Sequence, residues 1–206
     1  MKKGIIKKTV MLGLGLVLAA GLVGCSGQKE DKKASDTNSK KEIVMGLDNT
    51  FVPMGFLNDK NELEGFDIDL AKEAFKRAGY TVKFQNIDWS MKEQALDNGN
   101  VDCLWNGYSI TEERKARVAF SKPYFDNKQI AITMSTESPT KLADLKDQVV
   151  GTQAASSALE AIEANKEFIG MIKDQKPVTY DTYDKALRDL EIGRIKSVVG
   201  DEVLLK

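Results

Sequence analysis

Residues 42–87, EIVMGLDNTFVPMGFLNDKNELEGFDIDLAKEAFKRAGYTVKFQNI, hold two β-prone runs on either side of an amphipathic helix. The first run, Glu42 to Leu47, ends at the turn pair Asp48-Asn49. From Glu62 to Tyr80 the residues Phe66, Ile68, Leu70, Ala71, Ala74 and Phe75 share one helical face, and Gly79 stops the helix. Thr81 to Ile87 is strand-like again. The pattern then repeats down the chain. A helix over Ser90–Asn98 stops at Gly99, a buried strand covers Val101–Trp105, and Thr111 opens a helix. Gln129–Met134 is β-prone, Leu142–Leu145 is a helical turn, and Val149-Val150 starts a strand. Ser156–Phe168 is a helix, Val178–Tyr180 a strand, Asp184–Glu191 a helix closed by Gly193, and Ser197–Val199 a strand. Strands alternating with helices define an α/β protein with mixed or parallel sheets.

Composition narrows the function. Among 206 residues, 30 Lys+Arg balance 31 Asp+Glu, 42% are hydrophobic, and there is no His. With no His there is no Ser-His-Asp or Cys-His pair, and the commonest zinc-ligand sets are absent. A sequence pI near 5.7 leaves no electrostatic footprint for nucleic acid. Cys25 and Cys103 make neither a disulfide framework nor a CxxC motif. No metal and no cofactor is expected.

The first 40 residues read as address and tether. Lys2, Lys3, Lys7 and Lys8 precede the uncharged run Thr9–Gly24, as in a secretory signal; removing these four lysines takes the net charge from −1 to −5. The glycines weaken that run as a spanning helix. Leu22-Val23-Gly24-Cys25 resembles the bacterial lipobox, which implies cleavage before Cys25 and a diacylglycerol on its sulfur. The alternative is an uncleaved anchor helix. Ser26–Lys41 has no aliphatic side chain larger than that of Ala34, so it cannot offset its ordering entropy and reads as a disordered tether. The expected organisation is a signal at 1–24 and a tether at 25–41, followed by a folded body from residue 42 on.

Four segments carry a family resemblance: Asp48–Met54 (DNTFVPM), Glu64–Ala71 (EGFDIDLA), Asn106–Arg114 (NGYSITEER) followed by Phe120–Tyr124 (FSKPY), and Gly200-Asp201-Glu202. In this order and spacing the chain resembles the solute-binding proteins of polar amino acid ABC importers, over about residues 42–206. The resemblance implies a two-lobed, type II periplasmic-binding fold of the Venus-flytrap kind, closing on one free amino acid. It also implies one lobe at 42–127, a hinge crossing with a partial second lobe at 128–206, and a missing return segment to lobe 1.

A free amino acid presents a carboxylate and an ammonium, and both must be satisfied once desolvated. Arg114 offers a carboxylate two parallel donors; the alternative is an exposed helix arginine like Arg117. By resemblance, Ser109 completes that contact. Gln153, Ser156 and Ser157 lie between a strand and a strong helix whose N-terminus favours an anion, with plain N-capping as the alternative. Asp201 is the family's ammonium partner, helped by the Gly107 carbonyl; the alternative is a helix N-cap. By resemblance, Asp48, Phe51, Trp89 and Asn106 fall on family positions that line the side-chain pocket, with ordinary core packing as the alternative for Trp89. An acid between aromatics leans toward Arg, Lys, ornithine or Gln. Cys103 reads as a buried strand thiol, and Asp67 and Asp69 as a solvated helix face with capping.

The resemblance thus implies a lipid-anchored, monomeric receptor on the outer face of the cell membrane. It would hand a polar L-amino acid to an ABC permease without catalysing a reaction. Two other readings stand beside it: an enzyme on the same scaffold, a dehydratase or lytic transglycosylase, or a sensor domain for a signalling partner.

Overall fold

The computed structural model describes residues 41–137 and 139–206. The leader, Cys25 and nearly all of the expected tether lie outside the described residues. The chain opens with β1 (Glu42–Leu47), then a small antiparallel meander of β2 (Thr50–Phe51), β3 (Gly55–Leu57) and β4 (Leu63–Glu64). Helix α1 (Phe66–Arg77) leads to β5 (Thr81–Asn86), and α2 (Lys92–Asp97) leads to β6 (Cys103–Leu104). Both β5 and β6 pair in parallel with β1, in the order β5-β1-β6. Central β1 therefore buries Met45 and Leu47, which pack on Ile68 and Ala71 of α1.

Helix α1 is shorter than its apolar periodicity suggests. Leu63 and Glu64 pair with β3 instead, and the helix starts after Gly65. That residue sits at φ 134°, where a Cβ would lie 2.4 Å from the Met54 carbonyl oxygen, so only glycine fits. The expected helix at Ser90–Asn98 begins instead as a 3-10 turn over Trp89–Met91, with Ser90 donating to Asp88. The strand expected over Val101–Trp105 pairs only at Cys103–Leu104, and Cys103 is half-buried rather than buried.

After α3 (Glu112–Lys115) the chain runs through Lys128 into β7 (Gln129–Ile132), β8 (Val150–Gln153), α4 (Ser157–Ala164) and α5 (Lys166–Met171). It continues through β9 (Val178–Tyr180), α6 (Tyr183–Glu191), β10 (Ser197–Asp201) and α7 (Glu202–Leu205). The second sheet has the order β7-β10-β8-β9, with β7 antiparallel to β10 and the other pairs parallel. Successive side chains of β10 point to opposite faces. Val198 enters the cluster of Tyr183, Ala186 and Leu190, whereas Val199 enters that of Ala158, Ile162 and Phe168. Helices thus cover both faces of this sheet. The helix expected over Ser156–Phe168 breaks at Asn165, whose side chain accepts the Phe168 N–H and starts α5.

Every strand of the first sheet precedes Trp105 and every strand of the second follows Lys128. The protein has the two-lobed, type II periplasmic-binding architecture. Phe51 and Met54 of the first lobe join the Tyr183 cluster of the second, so the lobes meet across the cleft. No described helix is long and apolar enough to cross a membrane.

Candidate functional site

Between the lobes lies a small cavity of about 10 Å³, lined by Phe51, Trp89, Asn106, Gly107, Arg114, Gln153, Ser156, Ser157 and Asp201. That is room for about one water molecule, so the lobes stand closed over the site and its polar walls bond to one another. Asp48 and Ser109 stand just behind this lining, Asp48 hydrogen-bonded to Gln153 and Asn106, and Ser109 to Ser157 and Arg114.

Arg114 sits in α3, where Thr111 caps the helix by accepting the Arg114 N–H at 3.2 Å. Its side chain is buried, unlike that of Arg117, which pairs with Glu113 in solvent. Nη1 donates to the Ser109 carbonyl at 3.1 Å, and Nη2 donates to the Ala155 carbonyl at 3.2 Å and meets Glu160 Oε1 at 2.9 Å. The guanidinium carbon stands 4.7 Å from the centre of the Tyr108 ring. Nη2 is therefore committed across the cleft. The buried Nε has no protein partner and Nη1 keeps a second hydrogen, so these donors are left for an anion.

Ser156 and Ser157 have different roles. Ser156 accepts the Leu159 N–H at 3.1 Å and donates to the Gln153 carbonyl at 2.8 Å, so its hydroxyl is spent on capping α4. Ser157 donates to Ser109 Oγ at 3.2 Å and accepts from Gln129 Nε2 at 3.1 Å. It joins the lobes beside Arg114.

Asp201 ends β10 and precedes α7, yet its side chain caps nothing. Its Oδ1 accepts from Gln129 Nε2 at 2.7 Å and from Asn127 Nδ2. Burial raises its carboxyl above the ordinary aspartate range, and those two amides and the Arg114 charge offset only part of that. Asp48 is also buried; it accepts from Thr50 through Oδ1 and from Gln153 Nε2 at 2.7 Å through Oδ2. Its own N–H donates to Asn106 Oδ1 at 3.0 Å, leaving Asn106 Nδ2 buried without a partner. Among the described residues neither Asp48 nor Asp201 has a Lys or Arg within ion-pair distance. The site thus offers two buried carboxylates for cationic groups and one guanidinium for an anion.

Gly107 has φ 56°, and a Cβ there would lie 3.2 Å from Phe51 Cε1. Its N–H donates at 2.7 Å to Asp67 Oδ2, whose other oxygen accepts from Tyr124 Oη at 2.7 Å. This corrects the reading of Asp67 as a solvated position: it is fully buried, while Asp69 is exposed as expected. Trp89 meets Tyr108 edge to face at 5.6 Å between ring centres, and Phe51 tilts against Tyr183 at 6.1 Å. Sequence reasoning also missed Lys92, Glu160, Gln129 and Asn127. Each is polar and sits in a helix or crossing segment where exposure is the ordinary outcome, so no local pattern singles it out.

The chain is 27% identical to a probable histidine-binding protein of Neisseria gonorrhoeae over 91% of this chain and 69% of that protein. It is 30% identical to the ABC transporter arginine-binding protein 1 of Escherichia coli K12, over 82% of this chain and 66% of that protein. A substrate-binding protein of an ABC uptake transporter from Streptococcus pneumoniae, solved with histidine bound, superposes with a TM-score of 0.79. It shares 41% identity, over 81% of this chain and 68% of that one. The chain therefore spans about two thirds of the length of these relatives. The family model of bacterial extracellular solute-binding proteins, family 3, matches residues 43–195, and the chain belongs to that family.

Proposed function

We propose that this protein binds one free amino acid with a basic or amide side chain in the cleft, and passes it to an ABC permease. The observation that carries the reading is the charge pattern around the cavity: buried Arg114 against two carboxylates, Asp48 and Asp201, with which no Lys or Arg among the described residues forms an ion pair. A zwitterion supplies a carboxylate for Arg114 Nε and an ammonium for Asp201. A distal cation or amide would then meet Asp48, the acid tied to Gln153. Phe51 and Trp89 would flank an extended side chain, while the Gly107 carbonyl, Asn106 and the Ser109–Ser157 pair complete the polar wall. The histidine and arginine named for the relatives support this range of ligands.

Binding proceeds by closure, because the contacts come from both lobes and favour the closed form. No bond of the ligand is broken, so the protein works as a receptor without catalysing a reaction. A signal over 1–24, a lipid on Cys25 and a tether over 25–41 would hold the monomer at the extracytoplasmic face of the cell membrane. Lobes at 42–127 and 128–206 do the binding.

A thermal-shift panel of the twenty amino acids with ornithine and cystine tests the reading. A ligand at 100 times its Kd stabilises by about 2.7 kcal/mol, which moves the midpoint by about 5–10 °C in a chain of this size. The expected result is a selective shift with a basic amino acid that Arg114→Ala abolishes. A folded protein that no amino acid shifts would refute the reading.

A further inference from the structure

Lys92 is an unusual residue for the first turn of a surface helix: it is only 2% exposed, and its ammonium lies between the rings of Trp89 and Tyr108. A buried ammonium is tolerated only where its donors are met. Two of its acceptors are local, the Trp89 carbonyl at 3.3 Å and Glu93 Oε2 at 3.3 Å. Glu93 is held in turn by the Tyr108 hydroxyl at 2.7 Å. The third and shortest contact crosses the cleft, to the Ala155 carbonyl at 2.9 Å.

Ala155 is an alanine held at φ 52°, a left-handed conformation that only the surrounding structure can maintain. The same carbonyl accepts Arg114 Nη2, so two cations of the first lobe converge on one oxygen of the second. From α4, Glu160 brings a carboxylate to Arg114 Nη2 at 2.9 Å. Neither Lys92 nor Glu160 lines the ligand cavity. The Lys92–Ala155, Arg114–Ala155 and Arg114–Glu160 contacts all join the two lobes, so they hold only while the cleft is closed.

We propose that Lys92 and Glu160 are positioning residues that latch the 154–157 loop and α4 onto the first lobe. Their effect would be to retain a bound amino acid by slowing reopening. The ligand-retention part rests on reading the cleft as an amino-acid site; the latch itself does not. Affinity differences within one interface fall mostly on dissociation, so the latch acts on release and leaves association nearly unchanged.

The test uses the full-length protein with Lys92→Met, Glu160→Gln and the double variant. Hydrogen exchange over residues 151–160 is followed without ligand, and stopped-flow rates are measured with L-arginine and L-histidine. The expected result is faster exchange confined to that segment and release quickened about tenfold in each single variant, the gain from one charge-assisted contact. Association should change by less than about twofold. A merely structural role would lower the melting point and speed exchange in β1 as well, without this split of rates. Should Lys92→Met loosen the whole fold, Glu160→Gln, whose carboxylate is one-third exposed, decides the matter. Exchange over 151–160 equal to wild type in Glu160→Gln, or a change carried by association, would overturn the latch. If the wild type binds neither amino acid, the proposed function fails for these ligands, while the exchange comparison still decides the latch.

Discussion

Replacing Asp67 by alanine should lower the melting point by about 4–8 °C, even though the residue lies in a first helical turn and touches no ligand. Its carboxylate is fully buried and accepts the Gly107 N–H and the Tyr124 hydroxyl, both at 2.7 Å. A buried donor left unpaired costs about 1–3 kcal/mol. Burial also desolvates the Tyr124 hydroxyl, so the two donors share the loss. A net cost of about 2 kcal/mol corresponds to the stated shift at about 2–4 °C per kcal/mol. Asp67→Asn should cost less, because the amide oxygen can still accept Gly107 while the Tyr124 hydroxyl rotates to accept the amide.

The pH dependence gives a second check on Asp67. Burial raises its carboxyl above the ordinary range, and the Tyr124 and Gly107 hydrogen bonds offset this only partly. An acid with a raised folded pKa favours folding when protonated. That contribution is complete below about pH 3.9, the unfolded value, and is lost as pH rises through the folded one. Asp67→Asn lacks it, so the gap between wild type and Asp67→Asn should widen from pH 7 to pH 4. Circular dichroism melts at the two pH values measure all of this. An Asp67→Ala melt within about 1 °C of wild type, an asparagine variant less stable than the alanine one, or a narrowing gap would refute the reasoning.

Two further outcomes follow from single groups. Asp201 must be ionised to hold an ammonium, and burial raises its carboxyl, so amino acid affinity should begin to fall with acidification above the ordinary aspartate value of about 3.9. Calorimetric titration between pH 7 and 4 should show that fall in the wild type and not in Asp201→Asn; parallel profiles would exclude Asp201 as the ammonium partner. The Cys103 thiol is pushed up to about 11, by burial first and by neighbouring Asp102 second. Its alkylation by iodoacetamide, followed on the Cys103 peptide by mass spectrometry, should climb about tenfold per pH unit from pH 8 toward 11. A plateau near 8.5 would show the thiol to be freely solvated.

Much of the fold was legible locally. β1, α1 and β5 could be read because apolar residues at the right period, with Gly79 as a stop, need only their own neighbours to declare the element. Leu63 and Glu64 were misread for the opposite reason: their partner is β3, and hydrogen-bond pairing across a meander leaves no mark on helical periodicity. Asn165 illustrates a third case, a polar residue inside an apolar run whose side chain caps the next helix instead of facing water.

The site divides along the same line. Arg114, Ser109 and Asp201 could be proposed because their motifs stand in a recognisable order along the chain. The sequence alone determined an α/β protein without His-based catalysis, and its motif order pointed to the solute-binding family. Only the tertiary structure showed that Arg114 Nη2 is already spent on Glu160 and Ala155, that Asp67 is buried beneath Gly107, and that Lys92 crosses the cleft. Those facts depend on contacts between residues roughly 40 to 60 positions apart, whose geometry the packing of two lobes creates and local pattern does not encode.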